Sequence, residues 1–459
     1  MRDGTTGGFG ERAFDERDAA PGAYAAVIDG SGVPALRDEA ARVTAELADR
    51  GVVFGGSDPH PFDVDVIPRV IGAAEWGEIE RGVVQRAAAL NAFIADVYGE
   101  RRICAEGVVP ERVIDEADWY EPALAGDGAG PRPVVADVAG PDLVRGPDGE
   151  FRVLEDNLRA PSGLAYLLAA RAALTPLADA SGLEPRSLEP AVKALGQAIR
   201  GAAPDGGADP FVVLLNDGPG SSAGYEHRDL AARIGMTVAS IGDLHRSGDR
   251  LMLGDRIVDV IYRRVDDERL TAPDGGPTRL GDLLLGPLRA GALACVNSPG
   301  TGVADDKAAH VYVEEMIRFY RGEEPVLRSV PGYDLGDPEQ LDRALPRLEE
   351  LVIKPRSDFG GQGVVIGPLA TRAELAEAVA RVRSAPERFV AQEPVALSVH
   401  PTLTPGGVAN RHVDLRPFVV SDGEFATVAA GGLTRFARAA GEMVVNSGRG
   451  GGAKDTWVL

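Results

Sequence analysis

One segment constrains the fold of this chain more than any other: a strand, a glycine loop and a second strand, with the sequence LVIKPRSDFGGQGVVIG at residues 351–367. Lys354 ends the first strand and directs a cation towards the loop. Because glycine has no Cβ, backbone N–H groups in such a loop can converge on an anion. A lysine beside such a loop predicts a site for the β- and γ-phosphates of a nucleotide. The alternative at this point is a glycine hairpin with an incidental lysine.

The loop differs from the two common glycine-rich phosphate-binding motifs. The order GxxxxGK[ST] of the P-loop is absent, since the lysine precedes the glycines. The Rossmann fingerprint is also excluded, because the glycines lead into a strand rather than a helix. The loop residues predicted to contact the nucleotide are Ser357, Gly360, Gly361, Gln362 and Gly363.

A second segment, DLVRGPDGEFRVLEDN at 142–157, predicts a β-hairpin that carries ligands for a hard cation. Asp142 on the first strand lies nearly opposite the end of the second, where Glu155 and Asn157 project from one face. Mg²⁺ prefers oxygen ligands and keeps several positions for water and substrate phosphates. The alternative is a solvated acidic hairpin. Arg159 and Ser162 follow in LRAPSG, and we predict that these catalytic candidates hold substrate oxygens.

Other segments extend the predicted nucleotide site. The segment DKAAHVYVEEMIRFY predicts one helix over 306–320. Lys307 lies at its start, after a polar turn, where it could reach the α-phosphate; the alternative is an ordinary surface lysine. The strand edge AQEPV offers backbone groups of Gln392 and Val395 to adenine. In DLRPF, Asp414 and Arg416 share one strand face, and an arginine stabilises the charge of a transferring phosphoryl group.

The chain is too long for one core, at 459 residues, and its patterns divide it into four segments. Residues 1–110 are mainly helical, and in GVVQRAAALNAFIADVYG one helix face is predicted to consist of Val83, Ala87, Leu90, Ile94 and Val97. Residues 111–203 hold the acidic hairpin and a helix. FVVLLN, a glycine turn and a helix predict a Rossmann-like substrate layer over 204–300. Residues 301–459 carry the nucleotide site, with a surface loop expected at 321–350. The glycine-rich tail, with Asn446, Arg449 and Lys454, is a candidate second anion-holding loop or mobile lid.

Composition excludes several classes of function. The formal net charge of -22 disfavours general binding to nucleic acid or to a membrane surface. There is no apolar run of the roughly 20 residues that span a bilayer and no signal-peptide pattern, so we expect a cytoplasmic location. Two cysteines make no disulfide framework. The histidines show no HExxH spacing, and nothing resembles a Ser-His-Asp arrangement.

Together, the blocks VLEDNLRAPSG, NSPGTGVADDK, VIKPRSDFGGQG and GGGAKDTWVL resemble circularly permuted ATP-grasp proteins, related to the synthetase part of glutathionylspermidine synthetases. In ordinary ATP-grasp enzymes the metal carboxylates follow the lysines and the glycine loop. Here Asp142 and Glu155 precede Lys307 and Lys354, which is the order that permutation implies. The implied fold class is α+β: a multidomain chain with a permuted ATP-grasp core, a Rossmann-like pre-ATP-grasp layer and N-terminal helices.

The resemblance also implies roles for particular residues. Lys307 and Lys354 correspond to the nucleotide lysines, and residues 357–363 correspond to the phosphate lid. The arginine that precedes the first metal aspartate in those synthetases is missing, because position 140 is glycine. Arg145, Arg159 and Arg416 are the alternatives for that role. The implied adenine hinge is Gln392, Glu393 and Val395, and the implied metal ligands are Asp142, Glu155 and Asn157.

The implied activity is ATP- and Mg²⁺-dependent ligation of a carboxylate to an amine through an acyl phosphate, with release of ADP. The expected partners are small-molecule or peptide carboxylates and amines, with no nucleic acid and no membrane; a protein partner or a homo-oligomer stays open. No amidase half with a nucleophilic cysteine is present, so product hydrolysis is not expected. Two alternatives remain: a nucleotide-binding scaffold, non-catalytic or dependent on a complex, and a kinase that stops at the phosphorylated product.

Overall fold

The computed structural model of the chain describes residues 13–56, 58–207, 209–267, 269–357, 363–423, 425–443, 445 and 451–459. The helices are α1 (Pro21–Tyr24), α2 (Gly30–Asp49), α3 (Ala73–Val97), α4 (Arg102–Ala105), α5 (Glu111–Asp115), α6 (Leu164–Ser181), α7 (Glu189–Gly201), α8 (Gly224–Ile234), α9 (Arg279–Arg289), α10 (Lys307–Val311), α11 (Val313–Arg321), α12 (Pro338–Ala344) and α13 (Arg372–Ser384).

Helices and sheets are mixed along the chain, as the α+β prediction requires. The strands are β1 (Val53–Phe54), β2 (His60–Pro61), β3 (Arg69–Ile71), β4 (Val138–Ala139), β5 (Asp142–Arg145), β6 (Phe151–Glu155), β7 (Val212–Asn216), β8 (Thr237–Ser240), β9 (Leu244–Ser247), β10 (Arg250–Leu253), β11 (Arg256–Val258), β12 (Val260–Arg264), β13 (Ala294–Val296), β14 (Arg328–Ser329), β15 (Gly332–Asp334), β16 (Val352–Pro355), β17 (Val365–Ile366), β18 (Phe389–Gln392), β19 (Val399–Thr404), β20 (Gly407–His412), β21 (Arg416–Ser421), β22 (Ala426–Phe436) and β23 (Gly452–Val458).

The longest helix, α3, follows directly from the apolar spacing of its sequence. Its predicted inner face is buried along its whole length. Glu75 lies in the first turn, where a negative charge favours the helix N-terminus. The helix packs against α11 and ends just before Gly99. The buried members of the predicted face are Val83, Ala87, Leu90, Ile94 and Val97.

Two pairs of strands frame the predicted site. The hairpin strands β5 and β6 form a three-stranded sheet with β14. The strands around the glycine loop, β16 and β17, belong to a second sheet in the order β15-β18-β16-β17. Helices α12 and α13 supply apolar side chains to the core beneath this second sheet. The acidic hairpin and the lysine strand therefore come from separate sheets.

A four-stranded parallel sheet with the order β13-β12-β7-β8 lies in the middle of the sequence. The run FVVLLN forms β7, and all five of its strand residues are buried, as a continuous apolar run predicts. Helix α8 follows β7, and helix α9 connects β12 to β13. The substrate role of this layer and the four-segment division of the chain stay predictions.

Two local expectations are wrong. The segment 321–350, expected as a surface loop, contains β14, β15 and α12, and Leu335 and Ala344 within it are fully buried. The helix expected over 306–320 is two helices, α10 and α11, which meet at Tyr312. The hydroxyl of Tyr312 donates to Asp334, 2.8 Å away. Contacts between distant segments determine both features, and periodicity does not reveal such contacts.

The C-terminal tail forms β23, which lies between β3 and β22 in a five-stranded sheet with the order β3-β23-β22-β21-β4. Its predicted anion-holding role is wrong for Lys454, which is fully buried. The ammonium group donates to Asp65 Oδ1 at 2.6 Å and to two backbone carbonyls. Lys454 is therefore a structural cation. Asn446 and Arg449 lie outside the described residues.

Within the described part of the chain, no helix is both long and apolar enough to cross a membrane.

We predict that Lys454→Met destabilises the protein but leaves nucleotide affinity unchanged. The substitution leaves Asp65 buried without its cation, and breaking a buried ion pair costs about 3–5 kcal/mol. Thermal unfolding should therefore occur at a clearly lower temperature than in the parent protein. The control is Lys193→Met, at an exposed position of α7. An unchanged unfolding temperature together with weaker ATP binding would contradict the structural role and support an anion-holding role for Lys454.

Candidate functional site

Asp142 and Glu155 form the centre of the candidate site. They are direct partners in the β5–β6 hairpin, as the sequence predicts, and their carboxyl groups are in hydrogen-bond contact. Burial and the charge of Asp142 raise the pKa of Glu155, although Lys307 and Lys354 oppose the shift. Like charges so close together in a buried place repel each other, so the pair requires cations nearby.

Two arginines compensate for the charge of Asp142. Arg416, at the start of β21, binds both carboxylate oxygens, with its Nε at 2.6 Å and an Nη at 2.8 Å. Arg435 on β22 donates to Asp142 at 2.7 Å and also pairs with Asp414. Burial alone would raise the pKa of Asp142, but the charges of Arg416 and Arg435 hold it well below the usual range.

Asp156 holds the end of β6 in place through contacts with two helices. Its carboxylate binds Arg86 of α3 at 2.6 and 2.8 Å and His310 of α10 at 2.8 Å. Since neighbouring side chains of an extended chain point to opposite sides, this anchor helps to direct Glu155 and Asn157 into the cavity. Asn157 donates its amide N–H to the carbonyl of Gly140 at 3.1 Å, which leaves the amide oxygen as the group for another ligand.

The two predicted nucleotide lysines line the same cavity as this acidic pair. Lys354, on β16, donates to the side-chain oxygen of Gln392 on β18. Burial and the neighbouring Lys307 lower the pKa of Lys354 to about 8, so the ammonium form still dominates at pH 7. Lys307 begins α10, a helix capped by Asp306. Asp306 also binds Arg356 at 2.7 Å, and burial raises its pKa to about 6.

Part of the lining is a cluster of apolar side chains, and the cavity has a volume of about 410 Å³. The predicted hinge residues Gln392, Glu393 and Val395 line it. The Glu393 carboxylate is held by Arg347 and Tyr333, and its backbone N–H donates to the carbonyl of Pro331. The apolar lining residues are Leu154, Val352, Val364, Ile366, Pro394, Val395, Leu397, Met443 and Val445.

The glycine loop is described only at its two ends. Ser357 lines the cavity and is in hydrogen-bond contact with Asp118. Gly363 lies outside the lining and has a φ of 67°, a left-handed value that suits glycine. Gly360, Gly361 and Gln362 lie outside the described residues, so their contact with a nucleotide stays a prediction.

The predicted catalytic residues differ in their placement. Arg159 and Arg416 line the cavity, whereas Ser162 lies outside its described lining and contributes only a backbone carbonyl, 3.3 Å from Arg416. Arg145, one alternative phosphate partner, is buried elsewhere against Glu16. Sequence reasoning missed Arg435. Its position in the otherwise apolar strand β22 could have indicated a functional or paired arginine. The other lining residues that it missed include Trp119, Asp305, Asp306 and Arg356.

The residues at the acidic pair fit a magnesium ion. A divalent cation would relieve the repulsion between Asp142 and Glu155, and the Asn157 oxygen would add a neutral ligand. The described residues contain no group of three or more His, Cys, Asp or Glu side chains placed to hold a metal. A magnesium ion here would therefore depend on the amide, on water and on substrate oxygens, which is the usual manner of Mg²⁺ binding.

Comparison with known proteins places the chain in a family. Residues 68–437 match the family model described as circularly permuted ATP-grasp type 2. The chain belongs to this family. The resemblance stated from the sequence is thereby confirmed, and the order of the acidic hairpin before the lysines is the order of a permuted ATP-grasp chain.

The sequence relatives differ in their length and in their names. A protein of Frankia alni named "Putative glutamate--cysteine ligase 2-3" is 41% identical over 466 residues, which cover 98% of this chain and 53% of that protein. An uncharacterized protein of Mycobacterium tuberculosis is 38% identical over 462 residues, covering 98% of this chain and 84% of that protein. The chain thus spans about half the length of the Frankia relative.

The fold is similar to that of a solved structure. That structure is the apo form of a glutathione synthetase-like effector from Globodera pallida, with a TM-score of 0.61. The match covers 93% of this chain and 98% of that chain, at 12% sequence identity. At this level of identity the likeness concerns the fold alone.

We predict that Lys354→Ala weakens ATP binding by about tenfold or more, because a hydrogen bond to a charged group is worth roughly 1.5–3 kcal/mol. The measurement is a calorimetric titration with Mg²⁺ and ATP. Lys193→Ala, on the exposed surface of α7, is the control and should bind as the parent does. If Lys354→Ala binds ATP like the parent, Lys354 is only a structural partner of Gln392.

Proposed function

We propose that the chain is an ATP- and Mg²⁺-dependent ligase that joins a carboxylate to an amine. One observation carries the proposal: a single cavity is lined by a cluster of apolar side chains, two lysines, a buried acidic pair and, among its arginines, the two that bind Asp142. The family to which the chain belongs and the name of its Frankia relative support a ligase-type activity. The same name supports amino acids as the substrate class.

The apolar and the charged lining of the cavity suit the two parts of ATP. Adenine fits the apolar cluster, where the backbone after Gln392 can contact its edge. The phosphates extend towards Lys354 and Lys307, whose positive charges hold anions. Ser357 and the glycine loop would cover the phosphates with backbone N–H groups. The reacting end of the triphosphate then lies beside the acidic pair and the two arginines.

The acidic pair supplies the place for the metal. Asp142, Glu155 and Asn157 would hold Mg²⁺, which supplies positive charge beside the β- and γ-phosphates when bound. Arg416 and Arg435 are already oriented by Asp142 and Asp414. Donors that are fixed in advance stabilise the charge that shifts in a transition state without a cost of reorganisation.

The proposed reaction has two steps. An oxygen of the substrate carboxylate attacks the γ-phosphorus, the bond to the β,γ-bridging oxygen breaks, and ADP leaves with the electron pair. The amine nitrogen then attacks the acyl carbon, loses a proton to solvent and expels inorganic phosphate. The chain contributes mainly positioning and charge stabilisation to phosphoryl transfer.

The test of this function uses hydroxylamine as the amine, with ATP, Mg²⁺ and a panel of amino acids and peptides. A ligase of this kind forms a hydroxamate together with ADP and phosphate in equal amounts. Formation of AMP, or the absence of any ATP turnover across the panel, would contradict the proposal. Accumulation of a stable phosphorylated product without hydroxamate would identify a kinase instead.

We predict that Glu155→Gln slows ADP formation by roughly a hundredfold or more, because interactions that strengthen in the transition state act on rate. Most of the ATP affinity should remain, since the lysines bind phosphates that are charged in the ground state. Without metal, the unfolding temperature should not fall, because the change removes a charge that repels Asp142. Single-turnover ADP release and a binding titration measure both effects.

The matched control for this prediction is Glu150→Gln, an exposed position in the same hairpin. It should turn over like the parent. Unchanged turnover in Glu155→Gln would place the metal elsewhere and would restore the hypothesis of a solvated acidic hairpin.

A further inference from the structure

A guanidinium group faces the cavity without a role in the proposed phosphoryl transfer. Arg159 lines the cavity and lies over the indole of Trp119, with 4.1 Å between its guanidinium carbon and the ring centroid. Its side chain is 18% exposed, so it is accessible from the cavity. Arginine stacked on an aromatic ring is well suited to bind a carboxylate, because its planar fork is held in one orientation.

Asp305 fixes the orientation of this arginine. Its carboxylate accepts one bond from the Nε of Arg159 at 3.1 Å and another from the backbone N–H of Leu158. Across the described residues, no acceptor binds either terminal nitrogen of Arg159. Since Nε lies at one end of the guanidinium plane, those two nitrogens are the donors available to a ligand.

Gly302 leaves the space in which the two side chains stack. A Cβ at this position would lie 2.4 Å from the Cβ of Trp119 and 2.6 Å from the Cδ of Arg159. Both distances are too short for real contacts, so any larger residue would displace the pair. The stacked arginine is therefore a packed and oriented feature of the cavity wall rather than a loose surface side chain.

The local charges indicate which anion fits. Asp305 already offsets part of the positive charge of Arg159 itself. Arg269, which also lies over Trp119, is bound by Asp267 through two nitrogens. The surroundings therefore suit a single negative charge, such as a carboxylate, better than a phosphate dianion.

We propose that Arg159 binds a second carboxylate of the substrate, so that the substrate is a molecule with two carboxylates. This rests on the proposed function, in which the first carboxylate reacts beside Glu155. Arg159 follows Glu155 by four residues, and four extended residues span at most about 13–14 Å. Arg159 and Glu155 also line the same cavity, so that one molecule with two carboxylates can contact both residues.

The test measures binding of two probe acids to the protein with Mg²⁺ and a non-hydrolysable ATP analogue. Glutarate has two carboxylates, and pentanoate has the same number of carbon atoms with one. Tryptophan fluorescence reports on the site, because Trp119 lines the cavity while Trp76 and Trp457 are fully buried. Glutarate should bind about tenfold tighter than pentanoate or better, because the extra contact is a charge-assisted hydrogen bond.

Three variants examine the role of Arg159. Arg159→Met keeps an apolar stem over Trp119 and should abolish the preference for glutarate while pentanoate binding is unchanged. Arg159→Lys should retain part of the preference. The matched control is Arg269→Met, which removes an arginine over the same indole but outside the cavity lining, and its preference for glutarate should equal that of the parent.

The outcomes separate this proposal from the proposed function. Glutarate binding that depends on Arg159, without hydroxamate formation in the parallel assay, would contradict the ligase and leave the dicarboxylate site standing. Equal affinities for the two acids, no binding of either, or an undiminished preference in Arg159→Met would overturn the dicarboxylate site, whatever the turnover.

Discussion

The buried contact between Asp142 and Glu155 is the interaction on which the rest of the site depends. Two carboxyl groups in one buried place require positive charge around them, and four cationic side chains of the protein supply it. Arg416 and Arg435 bind Asp142 directly, while the charges of Lys307 and Lys354 act on Glu155. The hairpin register that pairs the two acids therefore determines where the four cations lie, and the proposed magnesium ion would lie beside the same pair.

The fold brings these cations together from distant parts of the chain. Asp156 links the end of the acidic hairpin to α3 through Arg86 and to α10 through His310, and α10 begins with Lys307. Strands β21 and β22, which carry the arginines, belong to the five-stranded sheet that also contains the last strand of the chain. Permutation changes the order of these parts along the sequence but not their meeting in one cavity.

Local pattern was enough to predict the register of Asp142 with Glu155 and the buried strand β7, because each depends on neighbours within one hairpin or strand. Lys307 and Lys354 line the cavity, but their contact with a nucleotide stays a prediction. Sequence reasoning failed where the partner is remote. Arg435 pairs with Asp142 across 293 residues, and Lys454 pairs with Asp65 across 389. Such partners cannot be read from periodicity. The centre of the glycine loop and the substrate role of the parallel sheet remain predictions.

The most direct test of this account is a calorimetric titration of the protein with ATP, once with Mg²⁺ and once with EDTA. Under the proposed function, the acidic pair repels a bare triphosphate and binds one that carries a divalent cation. Binding is therefore expected to be weaker in EDTA by roughly tenfold or more, equivalent to about 1.4 kcal/mol. Equal affinity under the two conditions would contradict the assignment of Asp142 and Glu155 as the metal site.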